Sequence, residues 1–218
     1  MYPLGVDEAT KAVRKNLDEL DINESVMMVP SGNDNASLDD VIARTLPEAI
    51  NAVHGSASAA MLEGISGTTT MGVYTVEDEP RVIKIHIPAS VLRLVLFQTT
   101  DTPHIVTEVT PEDSVEGRKQ LNPSLRGTYD RPRLVQLQGK HNEPDFLYYS
   151  LKEDLAQGQN PASLVSRLDY IPEYKYAAAT TQYNISTALR ERILNHLTGL
   201  VLAIYGEADK AQYFLNKA

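Results

Sequence analysis

Helical periodicity marks the first part of the chain. In residues 6–20 the apolar positions fall on one face of an amphipathic helix: Ala9, Val13, Leu17 and Leu20. The polar segment 21–37 is rich in Asn, Asp and Gly, which predicts a loop. Ser37 and Asp40 have the spacing of a capping box and predict the start of a second helix. Pro47 lies inside that helix, so we expect a kink or a restart there.

Strand patterns follow a short third helix predicted at residues 58–62. β-Branched residues dominate residues 68–76, and residues 81–87 alternate polar with apolar side chains. Both features are typical of β-strands. Pro88 then ends the second strand, and residues 90–97 are predicted to form a short apolar helix or turn.

The middle of the chain combines a long polar stretch with a hairpin pattern. Residues 101–132 are loop-rich, although residues 105–109 are compatible with a strand. Residues 133–138 alternate clearly, and residues 145–151 are predicted to pair with them as the second strand of a hairpin. Residues 156–172 are predicted to be irregular because they contain three chain-breaking residues: Gly158, Pro161 and Pro172.

The strongest helical pattern lies near the C-terminus. Ser186 is a good N-cap, and Gly206 marks the end or bend of the helix, with a helical continuation over residues 208–215. The apolar stripe of the main helix is wide: Leu189, Ile193, Leu197, Leu200, Val201 and Ile204.

The order of helices, strands and helices predicts an α+β fold in one domain, residues 1–218. Its mainly helical body, residues 1–64 and 183–218, consists of the N-terminal helices and the long C-terminal helix. An antiparallel β-sheet, at about residues 68–152, is expected as an insertion within that body.

Composition narrows the possible chemistry. The 218 residues are 42% hydrophobic and 22% charged, as in ordinary globular proteins. The formal net charge of −9 argues against a broad nucleic-acid-binding face. The chain has no Cys, which excludes disulfides, thiolate metal sites and cysteine nucleophiles. No secretory signal or membrane span is expected, so we predict a soluble protein made in a cytoplasm.

Catalytic motifs are missing from the sequence. The histidines are scattered, with none three or four residues from another: His54, His86, His104, His141 and His196. Phosphate-binding glycine motifs do not occur, and Gly64-Ile65-Ser66-Gly67 lacks the spacing of a nucleophile elbow. We therefore predict no enzymatic activity, no catalytic residue, no metal and no cofactor.

Three groups of segments resemble one protein family. They are residues 10–19 (TKAVRKNLDE) with 38–44 and 49–53, residues 87–98 (IPASVLRLVLFQ) leading to 126–135, and residues 200–211 (LVLAIYGEADKA). Over most of its length the chain is similar to head–tail adaptor proteins, the connector-ring proteins of short-tailed, crAss-like and related phages and prophages of gut bacteria.

The resemblance implies a role in the virion, at the interface between head and tail. A protomer of this family assembles with copies of itself into a ring, expected to be a dodecamer, beneath the portal protein. The ring extends the DNA channel and docks other ring or tail proteins, while genomic DNA passes through without specific binding. The family brings no catalytic residue, no cofactor and no membrane contact.

The end of the chain offers a candidate partner-docking site. Tyr213, Phe214 and Leu215 form an apolar terminus that suits a groove on a partner protein. The alternative is that the three side chains fold back on the helical body of the same chain.

Two other classes of function stay open. One is a cytoplasmic bacterial binding or scaffold module that acts without catalysis. The other is a hydrolase with an unrecognised carboxylate site near the strand ends, which would require a pocket holding two carboxylates of raised pKa.

Overall fold

The computed structural model of the chain describes residues 1–18, 37–66, 72–76, 79–88, 90–122, 124–137, 145–155 and 159–218. The described helices are α1 (Val6–Asp18), α2 (Leu38–Ser56), α3 (Val115–Gln120), α4 (Arg190–Ile204) and α5 (Ala208–Leu215). The described strands are β1 (Tyr2–Gly5), β2 (Ile65–Ser66), β3 (Gly72–Val76), β4 (Glu79–His86), β5 (Val91–Thr99), β6 (Val109–Pro111), β7 (Leu134–Leu137), β8 (Asp145–Tyr148), β9 (Val165–Pro172) and β10 (Gln182–Ile185). The predicted α+β class is confirmed.

The chain divides into two compact units. Unit 1 contains Met1–Glu63 and Tyr174–Ala218, and unit 2 contains Gly64–Glu173. Unit 1 holds the helices expected at the two ends of the chain. Unit 2 corresponds to the predicted insertion, but it is longer than residues 68–152 because β9 belongs to it.

Unit 1 is a helical body built around α1, α2 and α4. Their apolar stripes meet in a core of fully buried side chains: Ala9, Val13, Leu17, Ile42, Leu46, Ile50, Ile193, Leu197 and Val201. The antiparallel pair of β1 and β10 joins the start of the chain to the segment before α4. This pair was not predicted, since strands of four residues leave almost no periodic signal.

The start of α2 follows the predicted capping box. The Ser37 Oγ accepts a hydrogen bond from the Asp40 N–H at 3.2 Å, and Asp40 Oδ2 accepts one from the Ser37 N–H at 3.2 Å. Hydrogen bonds from Ser37 hold the pKa of the Asp40 carboxyl below its ordinary value. The predicted restart at Pro47 is wrong, because α2 continues through this buried proline. Buried side chains on either side of it, Leu46 and Ile50, hold the helix in the core.

Unit 2 contains two sheets that share one hydrophobic core. The five-stranded sheet has the order β3-β4-β8-β7-β6, and the three-stranded sheet has the order β2-β9-β5. The pairing of β6 with β7 is parallel, so the larger sheet is mixed and not wholly antiparallel as predicted. The Phe97 and Tyr148 rings, one from each sheet, lie 5.2 Å apart in this core. Burial raises the pKa of Tyr148 to about 12.

The segment predicted as a helix or turn at residues 90–97 is strand β5. Leu94 pairs with Tyr170 and Phe97 pairs with Leu168, two positions on β9 that share one face of the sheet. A register shift between Leu94 and Leu96 gives β5 one extra residue. The two core side chains therefore recur at a spacing of three, which is a helical spacing, and the sequence pattern is misleading for this physical reason.

The prediction of irregular structure at residues 156–172 is also wrong in its second half. Residues 165–172 form β9, the central strand of the three-stranded sheet, with Leu168 and Ile171 buried. The chain-breaking residues lie outside its interior, since Pro161 begins a 3₁₀ turn and Pro172 ends the strand. Central strands of this kind need contacts distant in sequence, which a local pattern does not contain.

The remaining strand predictions have mixed outcomes. The strands predicted at residues 81–87, 133–138 and 145–151 are confirmed as β4, β7 and β8. At residues 105–109, Val106 forms a single bridge with Phe97 and Val109 begins β6. Predictions for residues 21–36, 68–70 and 156–158 lie outside the described residues.

His54 is a buried titratable group in unit 1. Its side chain on α2 is fully buried, and the Ser186 N–H donates a hydrogen bond to Nε2 at 3.4 Å. Within the described residues, Nδ1 has no hydrogen-bond partner. Burial lowers the pKa of His54 from 6.5 to about 4.

We expect His54 to make the chain acid-sensitive. The folded-state pKa lies below the unfolded value, so the unfolded chain binds the proton first as the pH falls from about 6.5 to about 4. His54 therefore removes about 2 kcal/mol of unfolding free energy between pH 7 and pH 5. Urea unfolding at both pH values should show that His54→Gln loses this part of the pH dependence. The control His104→Gln, at an exposed position, should keep the pH dependence of the unchanged chain. Equal pH dependence in the unchanged chain and in both variants would contradict the expectation.

Candidate docking site

The C-terminal helix α5 is set against α4 by the turn at Gly206. Gly206 has a φ of 84°, a left-handed conformation that glycine adopts without steric cost. The Glu207 N–H donates to the Leu202 carbonyl at 3.0 Å, which satisfies one of the last carbonyls of α4. The predicted end of the long helix at Gly206 is confirmed.

A close approach at Gly199 packs α5 on α4. A Cβ atom at Gly199 would lie 2.7 Å from Leu215 Cγ and 3.1 Å from the Ala211 carbonyl oxygen. Only a residue without a side chain leaves this space for α5. Ala211 and Phe214 are buried as a result.

The three side chains of the predicted docking site do not share one exposed surface. Phe214 is buried and Leu215 packs against Gly199, so for these two the fold-back alternative holds. Tyr213 is 52% exposed and is the member that a partner can reach. The Lys217 Nζ lies 4.2 Å from the centroid of the Tyr213 ring and donates a hydrogen bond to its hydroxyl at 2.5 Å. A docking role for Tyr213 stays a prediction.

A second surface in unit 2 exposes more apolar area. It is the α3 segment, residues 114–122 and 124–127, which packs beside β6. Three of its apolar side chains are largely exposed: Val115 at 73%, Leu121 at 60% and Leu125 at 59%. Exposed apolar side chains that form a contiguous patch are typical of a surface that binds another protein.

Side-chain hydrogen bonds hold the α3 segment in place. Ser114 caps the helix, because its Oγ accepts from the Gly117 N–H at 3.0 Å and donates to the Pro111 carbonyl at 2.6 Å. Gln120 is buried, and its Oε1 accepts a hydrogen bond from the Gly127 N–H at 2.6 Å. The exposed apolar side chains are therefore carried by an ordered backbone.

The sequence indicates residues 101–132 as a loop that could order on docking, but it does not predict helix α3 within them. Residues 101–132 were predicted as loop-rich, and a helix of six residues is too short to show periodicity. The available signal was local: Ser114 as an N-cap, Glu116 in the first turn and Arg118 with Lys119 in the last turn.

Unit 2 also contains a cavity of about 290 Å³. Its apolar lining consists of Leu151, Leu155 and Leu164. Its polar lining carries three carboxylates and one ammonium group, from Asp101, Glu153, Asp154 and Lys152, together with the amide of Gln159. The cavity therefore combines an apolar surface with an excess of negative charge.

The carboxylates of the cavity differ in their partners. Asp101 Oδ2 accepts a hydrogen bond from the Lys152 N–H at 2.8 Å. Asp154 pairs with the Arg81 guanidinium at 2.6 Å. Glu153 is exposed and has neither an ion pair nor a side-chain hydrogen bond within the part of the chain that the structure describes.

Polar residues meet on the larger sheet, where Asp145 lies 2.8 Å from His86 Nδ1 and 2.7 Å from Lys84 Nζ. His86 and Asp145 are direct cross-strand partners on β4 and β8. Burial alone would raise the pKa of Asp145, but hydrogen bonds from Lys84 and His86 bring it below its ordinary value. The group has the geometry of a cross-strand ion cluster.

The carboxylates also bear on the hydrolase alternative. In the described residues, every carboxylate with a clearly shifted pKa is shifted downwards: Glu8, Asp40, Glu63, Glu116 and Asp145. The pair of raised carboxylates that this alternative requires is thus not found in this part of the chain. The same residues contain no group of three His, Asp or Glu side chains arranged to hold a metal ion.

Comparisons with known proteins add no family assignment. Over the described ranges, none of the helices combines the length and the apolar character needed to cross a membrane. No protein-family model matches the chain, and no curated protein is significantly similar to it.

We expect Gly199→Ala and Gly55→Ala to have opposite effects on stability. Both glycines lie in helices, but a Cβ at Gly55 would meet no atom within 4 Å. Gly199→Ala should lower the unfolding free energy by about 1–2 kcal/mol, since overpacking displaces α5. Gly55→Ala should raise it by up to about 1 kcal/mol through helix propensity. Thermal unfolding of both variants measures this, and a Gly199→Ala protein as stable as Gly55→Ala would contradict the close packing.

Proposed function

We propose that the chain is a structural virion protein, a phage head–tail adaptor. In this proposal copies of the chain form a ring under the portal protein, extend the DNA channel and dock other ring or tail proteins. The family resemblance suggests the role; it is carried by residues 10–19, 38–44, 49–53, 87–98, 126–135 and 200–211. The observation that carries it is the ordered α3 segment with its exposed apolar side chains.

An ordered apolar surface favours docking for two energetic reasons. Removing the exposed part of side chains such as Val115, Leu121 and Leu125 from water contributes about 1 kcal/mol or more for each. The backbone that carries them is already fixed through Ser114 and Gln120. Binding therefore costs less conformational entropy than it would for a flexible loop.

The net charge of −9 is consistent with a channel protein. A wall with excess carboxylates repels the phosphate backbone, so genomic DNA passes without specific binding. Tyr213, exposed on α5, is a second candidate contact for the portal or the tail.

Assembly with the portal protein of the same phage tests the proposal. Mass photometry and electron microscopy of the mixed proteins should show rings of this chain on the portal. The double variant Leu121→Ser/Leu125→Ser should lower the fraction of portals carrying a ring at least tenfold, because it removes about 1.4 kcal/mol or more of apolar burial.

The control is Met61→Ser, which changes an apolar side chain of unit 1 with an exposed fraction of 44%. It should assemble like the unchanged chain. A portal protein that never binds the chain under conditions where both are folded would overturn the proposed function. A monomeric chain without affinity for the portal would favour the binding-module alternative instead.

A further inference from the structure

The α3 segment and the cavity of unit 2 carry side chains of opposite charge, and each also presents apolar side chains. The α3 segment carries three cationic side chains and one carboxylate: Arg118, Lys119, Arg126 and Glu116. The cavity lining carries three carboxylates and one ammonium group. Each surface also presents three apolar side chains, which are exposed on the α3 segment and line the cavity.

One charge on each surface has no partner. The Arg118 guanidinium is exposed and, within the described ranges, makes no ion pair or side-chain hydrogen bond. Glu153 is the corresponding carboxylate at the cavity. The neighbouring charges are already engaged: Lys119 pairs with Glu116 at 2.5 Å, Arg126 pairs with Glu79, and Asp154 pairs with Arg81. Arg118 is therefore the cation of the α3 segment that is left to pair with a partner.

We propose that the α3 segment of one copy of this chain docks in the unit 2 cavity of the next copy, with Arg118 paired to Glu153. This inference rests on the proposed ring and names the contact between its neighbours. In that contact Leu121 and Leu125 cover the apolar lining formed by Leu151, Leu155 and Leu164. The ion pair lies at the edge of the contact and sets its orientation.

A second copy is the favoured occupant because both complementary surfaces belong to the same chain. They are formed by different segments, residues 114–122 and 124–127 on one side and residues 101, 151–155, 159 and 164 on the other. When each copy uses its α3 segment towards one neighbour and its cavity towards the other, the contact is heterologous, and it closes into a ring if the rotation between neighbours permits. If the two surfaces met reciprocally across a two-fold axis, the product would be a dimer and not a ring.

The size of the cavity fits a side chain better than a large ligand. Its volume of about 290 Å³ lies at the lower end of the range of small-molecule sites, about 300–1,000 Å³. A space of this size can accept a leucine side chain. The excess of carboxylates at the lining then favours a cationic neighbour over an anionic one.

A charge exchange tests the pairing of Arg118 with Glu153. Arg118→Glu alone and Glu153→Arg alone place like charges opposite each other, so each should lower the fraction of portals carrying a ring at least tenfold. The double variant Arg118→Glu/Glu153→Arg should restore assembly. An equimolar mixture of the two single variants should also restore it, because copies that alternate around the ring again place opposite charges in every contact.

The control for this experiment is Lys11→Glu, which reverses an exposed charge on α1 in unit 1. It should assemble like the unchanged chain, and thermal unfolding should show that all variants are folded. If the unchanged chain forms rings and the single variants form them equally well, the proposed contact is wrong while the ring function stands. If the double variant and the mixture fail to restore assembly, the specific ion pair is wrong. If the unchanged chain forms no ring with the portal, the proposed function itself fails.

Chemical cross-linking gives an independent test, since the chain contains no Cys that could react in the background. Asn122→Cys places a thiol on the α3 segment, and Gln159→Cys places one at the cavity. With a short bis-maleimide reagent, assembled mixtures of the two variants should give covalent dimers, while either variant alone should give few. Equal dimer yields in all three samples, or no dimers in assembled mixtures, would overturn the contact.

Discussion

The antiparallel pairing of β1 with β10 closes the helical body of unit 1, whose residues come from both ends of the chain. An ion cluster reinforces it, because Arg190 at the start of α4 donates to Glu8 on α1 at 2.8 Å and lies over the Tyr2 ring. Burial alone would raise the pKa of Glu8, yet hydrogen bonds from Arg190 and Tyr2 bring it below its ordinary value. Since α1 and α4 bury their stripes against each other, the whole helical core depends on this closure.

In unit 2, too, a hydrogen bond between residues that are not neighbours in sequence fixes the backbone. Gln120 is a buried polar side chain that fixes the turn after α3 by accepting the Gly127 N–H. Leaving that N–H without an acceptor would cost about 1–3 kcal/mol. The bond therefore keeps Leu121 and Leu125 in a defined arrangement although water surrounds them. The backbone of the α3 segment is thus fixed while its apolar side chains stay exposed. This combination is the physical reason to regard the segment as a contact surface.

Local sequence signals predicted those parts of the fold that local interactions determine. The capping box at Ser37, the apolar stripe of α4 and the turn at Gly206 each depend on residues a few positions apart, and each was predicted. Strand β5 was missed because an extra residue at Val95 changes the spacing of its core positions. Strand β9 was missed because its partners lie about 70–100 residues away in sequence.

The candidate sites also divide into features that local sequence predicts and features that depend on contacts distant in sequence. The apolar character of the last residues is visible in the sequence, but the burial of Phe214 and the packing of Leu215 depend on the space left by Gly199 one helix earlier. Only Tyr213 stays accessible. The cavity could not be predicted at all, since it is assembled from three separate segments around residues 101, 151–155 and 159–164.

Electrostatics then limits how copies of this chain can associate. Each copy has a net charge of −9, so two copies repel each other at distances within the screening length of the solvent. A ring requires surfaces where this repulsion is reversed locally. Within the described residues, Arg118 on the α3 segment and Glu153 at the cavity have no ion-pair partner and provide such a pair on one chain. Because the general repulsion and the local attraction are both screened by salt, apolar burial by Leu121 and Leu125 would supply the part of the proposed contact that salt does not weaken.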